Sequence, residues 1–277
     1  MSGSDSITCS SRSPEEACDK LRAHGVARIP GFCSADELGR LSSEARLATR
    51  AKANYRNPYG PCARFTLDRI RPELARSRDL LEGEFLPVLP DLFPDTRSFL
   101  EGDFFRETVD GFFDGNSGFM EVVAFTRDHI PDRKAVYGHL HFDRRHQLKF
   151  ILYLNDVDEK NGAFGCIPNS HTLGRELFLA GWRKALDLPD ASQRAVTLAA
   201  EATPEDAPQY HRVPCMQGKR RLIGPFDVAR DSRIVAGASG TLVVFDSHLL
   251  HFGGFVTQPD RDRWTLKGHT FAIESRA

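Results

Sequence analysis

The 277-residue sequence has no apolar run long enough to span a bilayer and no block of basic residues. The net charge is −1, and the longest basic run is the tripeptide Lys219-Arg220-Arg221, which is typical of a solvated loop. These absences predict that neither nucleic acid nor a membrane is a partner. Residues 1–14 are polar and Ser-rich and lack the apolar centre of a signal peptide, so we expect a cytoplasmic protein.

Cysteine is scarce, and no Cys-x-x-Cys pair is present among the six cysteines. A chain of this length with scattered cysteines is poorly explained as a disulfide scaffold, and the sequence gives no support for a cysteine-based zinc site. We therefore expect free thiols. Tyr and Trp are also few, at 5 and 2, against 20 Phe, which indicates an interior packed with Phe rather than a surface that stacks nucleobases.

Residues 13–118 contain several residue patterns that are typical of helix starts and ends. Residues 1–12 read as a disordered tail. Ser13 and Pro14, followed by two acids, start a helix that should run to about Arg22 and end at Gly25. Residues 34–37 have capping-box spacing and start a second helix, and residues 95–113 predict another. Residues 13–118 are thus predicted to form a helical cover.

The pattern changes at about residue 119, where short runs with strand-like composition follow one another between turn signals. Residues 175–187 interrupt the strands with a helical pattern, and residues 188–230 are Pro-rich and irregular. We interpret 175–230 as an insertion that acts as a lid. The predicted strands are Glu121–Arg127, Ala135–His141, Gln147–Asn155, Ala163–Ile167, Ser232–Ala236, Thr241–Phe245 and Trp264–Ile273.

The densest group of metal-ligand side chains lies at residues 139–143, with the sequence His-Leu-His-Phe-Asp. On a strand, His141 and Asp143 point to the same side, while Leu140 and Phe142 point to the other. Together with a distant histidine such as His251, they would form a two-His, one-carboxylate face with open coordination positions, as non-haem Fe(II) oxygenases use.

The motif alone leaves other interpretations open. It is compatible with a solvated polar face that binds no metal. His-x-His-x-Asp also opens the zinc motif of metallo-β-lactamase-like hydrolases, although that motif requires His directly after the Asp, where this chain has Arg144. A His-x-His pair can also begin an amidohydrolase-type zinc site.

Three later segments follow the motif in a recognisable order. They are residues 161–171 (Asn-Gly to Pro-Asn-Ser-His), residues 240–251 (an apolar run that ends in Leu-Leu-His) and an Arg, Arg263, twelve residues after that last His. With His141-x-Asp143 they resemble the phytanoyl-CoA dioxygenase-like branch of the Fe(II)/2-oxoglutarate-dependent oxygenases. The Gly-Val-Ala-Arg-Ile-Pro-Gly-Phe stretch at 25–32 is similar to the opening of that family.

The resemblance implies a mainly β fold, a double-stranded β-helix (jelly-roll, cupin-like) with flanking N-terminal α-helices, as one domain over residues 1–277 with the jelly-roll core at 119–277. It also implies that Fe(II), 2-oxoglutarate and O2 are the cofactors. His141, Asp143 and His251 would be the iron ligands, and Arg263 would bind the distal carboxylate of 2-oxoglutarate. Arg261 and His248 are the rivals of Arg263 and His251.

The reaction that the resemblance implies is oxidation of a C–H bond in a small-molecule substrate, with release of succinate and CO2. Related halogenases have a small residue where this chain has Asp143, so the carboxylate favours hydroxylation. Desaturation, epoxidation and cyclisation remain alternatives. Two other functions stay open: a zinc-dependent hydrolase using His139, His141 and Asp143, and a non-catalytic cupin-like binding domain.

Several polar residues on the predicted strands are further candidates. Lys149 and Tyr153 share one face of their strand. One interpretation is that they contact 2-oxoglutarate or substrate; the other is that they are an exposed Lys at a sheet edge and a Tyr of the core. Thr126 lies on the strand before the motif, where some relatives have a cosubstrate contact. His139, Arg144 and Arg145 are candidates for binding the substrate.

Overall fold

A computed structural model of the chain describes eleven stretches of it. No helix within these stretches is both long enough and apolar enough to cross a membrane. The described residues are 6–54, 84–87, 93–115, 122–128, 140–143, 146–185, 210–212, 222–223, 225–254, 256–258 and 260–271.

The first helix, α1 (Pro14–His24), begins and ends where the sequence predicts. The Ser13 side chain accepts a hydrogen bond from the Glu16 N–H, and Pro14 occupies the first turn, where a missing N–H costs nothing. Gly25 ends the helix with φ 74°, a left-handed conformation that glycine adopts without strain, and its N–H donates to the Leu21 carbonyl.

The second helix, α2 (Ala35–Asn54), is opened by the predicted capping box. Ser34 Oγ accepts from the Glu37 N–H at 3.2 Å, and Glu37 Oε2 accepts from the Ser34 N–H at 2.9 Å. The single helix predicted at 95–113 is instead two, α3 (Pro94–Leu100) and α4 (Asp103–Phe112). The break lies at Gly102, which takes an extended conformation as the N-cap of α4, and glycine is a poor interior helix residue.

Thirteen strands are described, and they pair mainly into two antiparallel sheets. They are β1 (Val26–Ile29), β2 (Glu84–Pro87), β3 (Val122–Asp128), β4 (His141–Asp143), β5 (Gln147–Tyr153), β6 (Phe164–Cys166), β7 (Tyr210–Arg212), β8 (Leu222–Ile223), β9 (Phe226–Asp227), β10 (Arg233–Val235), β11 (Leu242–Asp246), β12 (His251–Phe252) and β13 (Arg263–Phe271). The major sheet has the order β1-β11-β5-β13-β3-β2 and the minor sheet has the order β10-β6-β12-β4-β7. This architecture confirms the predicted jelly-roll with flanking N-terminal helices.

The two faces of the major sheet have different neighbours. Leu148, Phe150 and Leu152 of β5 pack with the N-terminal helices in a core that is rich in Phe. The alternate residue Tyr153 lies between the two sheets, in a second core that includes Phe164 of the minor sheet. The inner face of the major sheet therefore looks onto the minor sheet, and the predicted site residues lie between them.

Residues 6–12, the described part of the N-terminal tail, differ from the prediction that residues 1–12 are disordered. Ile7 and Cys9 are buried, at 2% and 3% exposure. The Cys9 N–H donates to the Arg28 carbonyl and the Arg28 N–H donates to the Ile7 carbonyl, both at 2.8 Å. Two apolar side chains at alternate positions are enough to anchor this short segment to the exposed edge of β1, a contact that the Ser-rich composition concealed.

The insertion at 175–230 is described only in part. Its predicted helix is present as α5 (His171–Ala185), and a short helix, α6 (Val228–Asp231), lies near its end. Strand β7 belongs to the insertion and pairs with β4, so that Arg212 lies opposite His141. The insertion therefore extends the minor sheet next to the strand with the metal-ligand motif.

Candidate metal centre

The structure brings His141, Asp143 and His251 together. Strands β4 and β12 are antiparallel neighbours in which His251 pairs with His141. One ligand-type atom from each of the three side chains lies within 4.8 Å of the others. Leu140 and Phe142 are buried in a separate apolar cluster, as the alternation of the strand predicts.

The ring of His251 is fixed in an orientation that suits a metal ligand. Its Nδ1–H donates to the Leu249 carbonyl at 2.7 Å, so the lone pair is on Nε2, which lies 3.8 Å from Asp143 Oδ2. Burial, assisted by the neighbouring His141, lowers the pKa of His251 to about 3. The ring is therefore neutral at ordinary pH, which is the form that binds metal.

Asp143 is held as a carboxylate in spite of its burial. Burial alone would raise its pKa, but the charge of Lys149, whose Nζ lies 2.6 Å from Oδ2, acts with His251 and His141 to lower the pKa to about 2. Its backbone N–H donates to the Ser247 carbonyl at 2.8 Å. Two imidazoles and one ionised carboxylate form a donor set that fits Fe(II).

Lys149 should control the pH dependence of metal binding. In Lys149→Met we expect the pKa of Asp143 to rise, because the Lys149 ammonium, the charge that stabilises the carboxylate most, is removed while Asp143 stays buried. Protons would then compete with the metal at higher pH, and the acid limb of Fe(II) binding should move upward. Fe(II) titrations at several pH values check this shift, and an unchanged acid limb would show that Lys149 does not act on Asp143.

Arg263 lies at the start of β13, on the same inner face of the major sheet. It is 5% exposed, and its Nε and Nη2 donate to Asp128 Oδ2 at 2.8 and 2.6 Å. Asp128 is the residue directly opposite it on β3. The guanidinium is thus pre-oriented by a carboxylate before any ligand arrives.

The inner face of the major sheet is strongly cationic. Strand pairing puts Lys267 and His269 on the same side of β13 as Arg263, and His269 lies opposite Lys149. Burial lowers the pKa of Lys267 to about 8 and holds that of His269 well below its usual value. Among the described residues, the cationic side chains of Lys149, Arg263 and Lys267 thus share this face with Asp128. This arrangement suits a dicarboxylate ligand.

Thr126 and Tyr153 lie on this face too. Thr126 is 1% exposed, and its hydroxyl is 2.6 Å from that of Thr265. The Tyr153 hydroxyl donates to the Val235 carbonyl at 2.7 Å and accepts from the Phe164 N–H at 3.2 Å. Tyr153 therefore bridges the two sheets. This agrees with the interpretation of Tyr153 as a core residue rather than as a contact of 2-oxoglutarate.

Loss of the Tyr153 hydroxyl should affect stability rather than 2-oxoglutarate binding. In Tyr153→Phe, a buried carbonyl and a buried N–H lose their partner, and each unsatisfied group costs about 1–3 kcal/mol. Urea unfolding measures the loss. A change in the affinity for 2-oxoglutarate without a change in stability would instead assign Tyr153 to the cosubstrate site.

The rivals of the preferred residues lie elsewhere. Arg261 pairs with Asp158, and both side chains are exposed. His248 groups with His146 and Asp246 rather than with the His141 cluster. The substrate candidates His139, Arg144 and Arg145 are outside the described residues.

Four inner-face residues were missed by the sequence interpretation: Asp128, Thr265, Lys267 and His269. The last three follow Arg263 at intervals of two, so the alternation along the predicted strand 264–273 could have identified them. Asp128 gave no such signal, because it lies one residue beyond the predicted end of its strand.

Comparisons with known proteins identify the fold and the family. Among solved structures, the chain is similar to the epimerase SnoN in complex with Fe3+, alpha ketoglutarate and nogalamycin RO, with a TM-score of 0.58 and 14% identity over 94% of this chain and 83% of that one. It is also similar to HygX from Streptomyces hygroscopicus with nickel and 2-oxoglutarate bound, with a TM-score of 0.55 and 15% identity over 94% and 87%. AviO1 from Streptomyces viridochromogenes Tue57 has 19% identity and a TM-score of 0.50 over 97% and 99%.

These likenesses show the fold, and no curated protein matches the sequence. The family model for Phytanoyl-CoA dioxygenase (PhyH) matches residues 21–261, which is most of the chain. The chain therefore belongs to the phytanoyl-CoA dioxygenase (PhyH) family of Fe(II)- and 2-oxoglutarate-dependent oxygenases.

Proposed function

We propose that this enzyme binds Fe(II) through His141, Asp143 and His251 and oxidises a C–H bond of a small molecule, using 2-oxoglutarate and O2. The observation that carries the proposal is the convergence of these three side chains within 4.8 Å, two of them buried and all from the predicted motif positions. Family membership supports the choice of iron over zinc.

When bound, Fe(II) and 2-oxoglutarate supply the oxidising chemistry: O2 is consumed, 2-oxoglutarate becomes succinate and CO2, and the substrate is oxidised. The chain's residues hold the reactants. Arg263, oriented by its hydrogen bonds to Asp128, presents its guanidinium to the distal carboxylate of 2-oxoglutarate, and Lys267 adds positive charge on the same face. Lys149 keeps Asp143 ionised.

The centre is lined by aromatic rings that limit the access of water. The ring centroids of Phe245 and Phe164 lie 4.9 and 5.8 Å from that of His251. An apolar surface beside the ligands favours a reaction in which the oxidant meets substrate rather than solvent. We propose hydroxylation as the outcome, since Asp143 occupies the ligand position that a halide needs in related halogenases.

The test of the proposed function does not require the substrate. Purified enzyme supplied with Fe(II), 2-oxoglutarate and O2 should form succinate slowly, and omission of Fe(II) should stop it. SnoN and HygX are described with nogalamycin RO and with hygromycin B respectively, so a panel of small molecules that includes these two compounds is the first screen for stimulated turnover. Failure to form succinate under any of these conditions would contradict the proposal.

We also propose that residues 175–230 form a lid and substrate-selecting wall, because β7 pairs with β4 beside His141. Exchange of residues 188–207 for a Gly-Ser linker of equal length should leave substrate-free succinate formation largely intact. Its loss would show instead that the segment supports the metal centre.

The helical cover and the jelly-roll core are proposed to form one domain, because residues of α1, α2 and α4 share a core with β5 and β11. We expect one cooperative melting transition, and two separate transitions would argue against a single domain.

A cytoplasmic location is likewise our proposal. Cys9, Cys18, Cys33 and Cys166 are free and buried, as suits a reducing compartment, and fractionation would test it.

A further inference from the structure

A second group of metal-ligand side chains lies outside the iron centre. His146 follows β4, Asp246 ends β11, and His248 lies in the turn before β12. One ligand-type atom from each of the three lies within 4.8 Å of the others. His146 Nε2 is 3.6 Å from Asp246 Oδ2, and His248 Nδ1 is 3.9 Å from Asp246 Oδ1. Two ligands of one tetrahedral zinc ion, each at about 2.1 Å, are about 3.4 Å apart, which is slightly less than either of these two separations.

His248 gives an independent indication that this group binds something. It is 2% exposed, and within the described part of the chain neither of its ring nitrogens has a hydrogen-bond partner. A buried polar group without a partner is costly, so such a group calls for an explanation. The Asp246 carboxylate next to it is also buried, at 5% exposure, and it accepts a hydrogen bond from the His248 backbone N–H at 2.8 Å.

The residues around this second group enclose it on one side and leave it open to solvent at His146. Phe178 of α5 lies against the His248 ring, and Phe112 and Phe113 contact His146 edge-on. Gly174 of α5 is in such close contact with this turn that a Cβ atom would lie 1.9 Å from the His248 carbonyl oxygen. His146 is 31% exposed at its side chain, and it is the member of the group through which an ion can enter.

We propose that His146, Asp246 and His248 form a second site for a divalent transition-metal ion such as Zn2+, which two imidazoles and one carboxylate can bind. The two rings are stacked, with centroids 4.8 Å apart and planes at 10°. Because an ion binds in the plane of an imidazole, one ring must turn on binding. His146, the less enclosed ring, is the one expected to do so.

The proposed site is linked to the iron centre through the turn that holds His248. The Ser247 carbonyl accepts a hydrogen bond from the Asp143 N–H, and the Leu249 carbonyl accepts one from the His251 ring. An ion at His146, Asp246 and His248 would therefore brace the segment that orients two of the iron ligands. The role is structural support, and no catalytic step depends on it.

Cobalt binding tests the proposal, with tag-free protein equilibrated with Co2+ and analysed for metal per chain after gel filtration. The wild type should retain two ions. His251→Ala and His248→Ala should each retain one, and the double variant none. His24→Ala, an exposed histidine outside both groups, is the matched control and should retain two. Zn2+ should displace Co2+ in His251→Ala, since zinc binds such donor sets more tightly.

The outcomes separate this proposal from the proposed function. One ion in the wild type and none in His251→Ala would overturn the second site. One ion that survives His251→Ala but is lost in His248→Ala would support the second site and contradict the iron centre. If His248→Ala does not fold, as judged by circular dichroism, His146→Gln takes its place, and retention of two ions in that variant would overturn the proposal.

Discussion

Replacement of His251 with alanine should lower Fe(II) affinity by more than about 100-fold and abolish succinate formation. Loss of an outer-shell partner of a metal ligand already costs about 10- to 100-fold, and His251 is itself a proposed ligand. Its Nε2 faces Asp143 at 3.8 Å, and the Leu249 carbonyl fixes its tautomer. Fe(II) affinity measured by anaerobic titration, together with succinate formed from 2-oxoglutarate, checks the expectation.

The control is His24→Ala, an exposed histidine outside both groups, and the comparison variant is His248→Ala, a buried histidine three residues before His251. The His248→Ala variant should keep the succinate activity within about tenfold of wild type, because it touches the iron centre only through the backbone of its turn. If His248→Ala abolished Fe(II)-dependent turnover while His251→Ala retained it, the assignment of the distal ligand would be wrong.

Replacement of Arg263 with leucine should have two large effects that can be separated. The apparent affinity for 2-oxoglutarate should fall by about 10- to 100-fold, the equivalent of a charged hydrogen-bond pair of about 1.5–3 kcal/mol. The free energy of unfolding should also fall by about 3–5 kcal/mol, because Asp128 is left buried, at 8% exposure, without the partner that donates to it at 2.6 and 2.8 Å. Isothermal titration with 2-oxoglutarate and urea unfolding measure the two effects.

The double variant Arg263→Leu/Asp128→Leu distinguishes a cosubstrate role from a structural one. Removal of both charges should restore much of the lost stability, since no buried Asp128 carboxylate is left without its Arg263 partner. It should not restore 2-oxoglutarate affinity. Wild-type affinity in this double variant would show that Arg263 serves only to neutralise Asp128 and that the distal carboxylate binds elsewhere.

The site could be predicted where it depends on local periodicity. Alternation along one strand put His141 and Asp143 on one side and Phe142 on the other, and the structure reproduces this division. The helix starts at Ser13 and Ser34 were predictable for the same reason, because capping depends on residues within one turn.

The parts that could not be predicted depend on how the strands and sheets are arranged in space. Lys149 meets Asp143 only because the two sheets face each other, and Asp128 meets Arg263 only through the pairing of β3 with β13, 135 residues apart in the chain. The ambiguity between His248 and His251 has the same origin. Both follow the same apolar run, and only the pairing of β12 with β4 puts His251 beside His141.

The most direct test of the account is an anaerobic absorption titration of the metal-free enzyme with Fe(II) and then 2-oxoglutarate. We expect one Fe(II) per chain to be needed for a charge-transfer band to appear on addition of 2-oxoglutarate, and we expect the band to be absent in Asp143→Ala. Tight stoichiometric binding of Zn2+ at His141 and His251, with no binding of 2-oxoglutarate to the Fe(II)-loaded protein, would contradict the account.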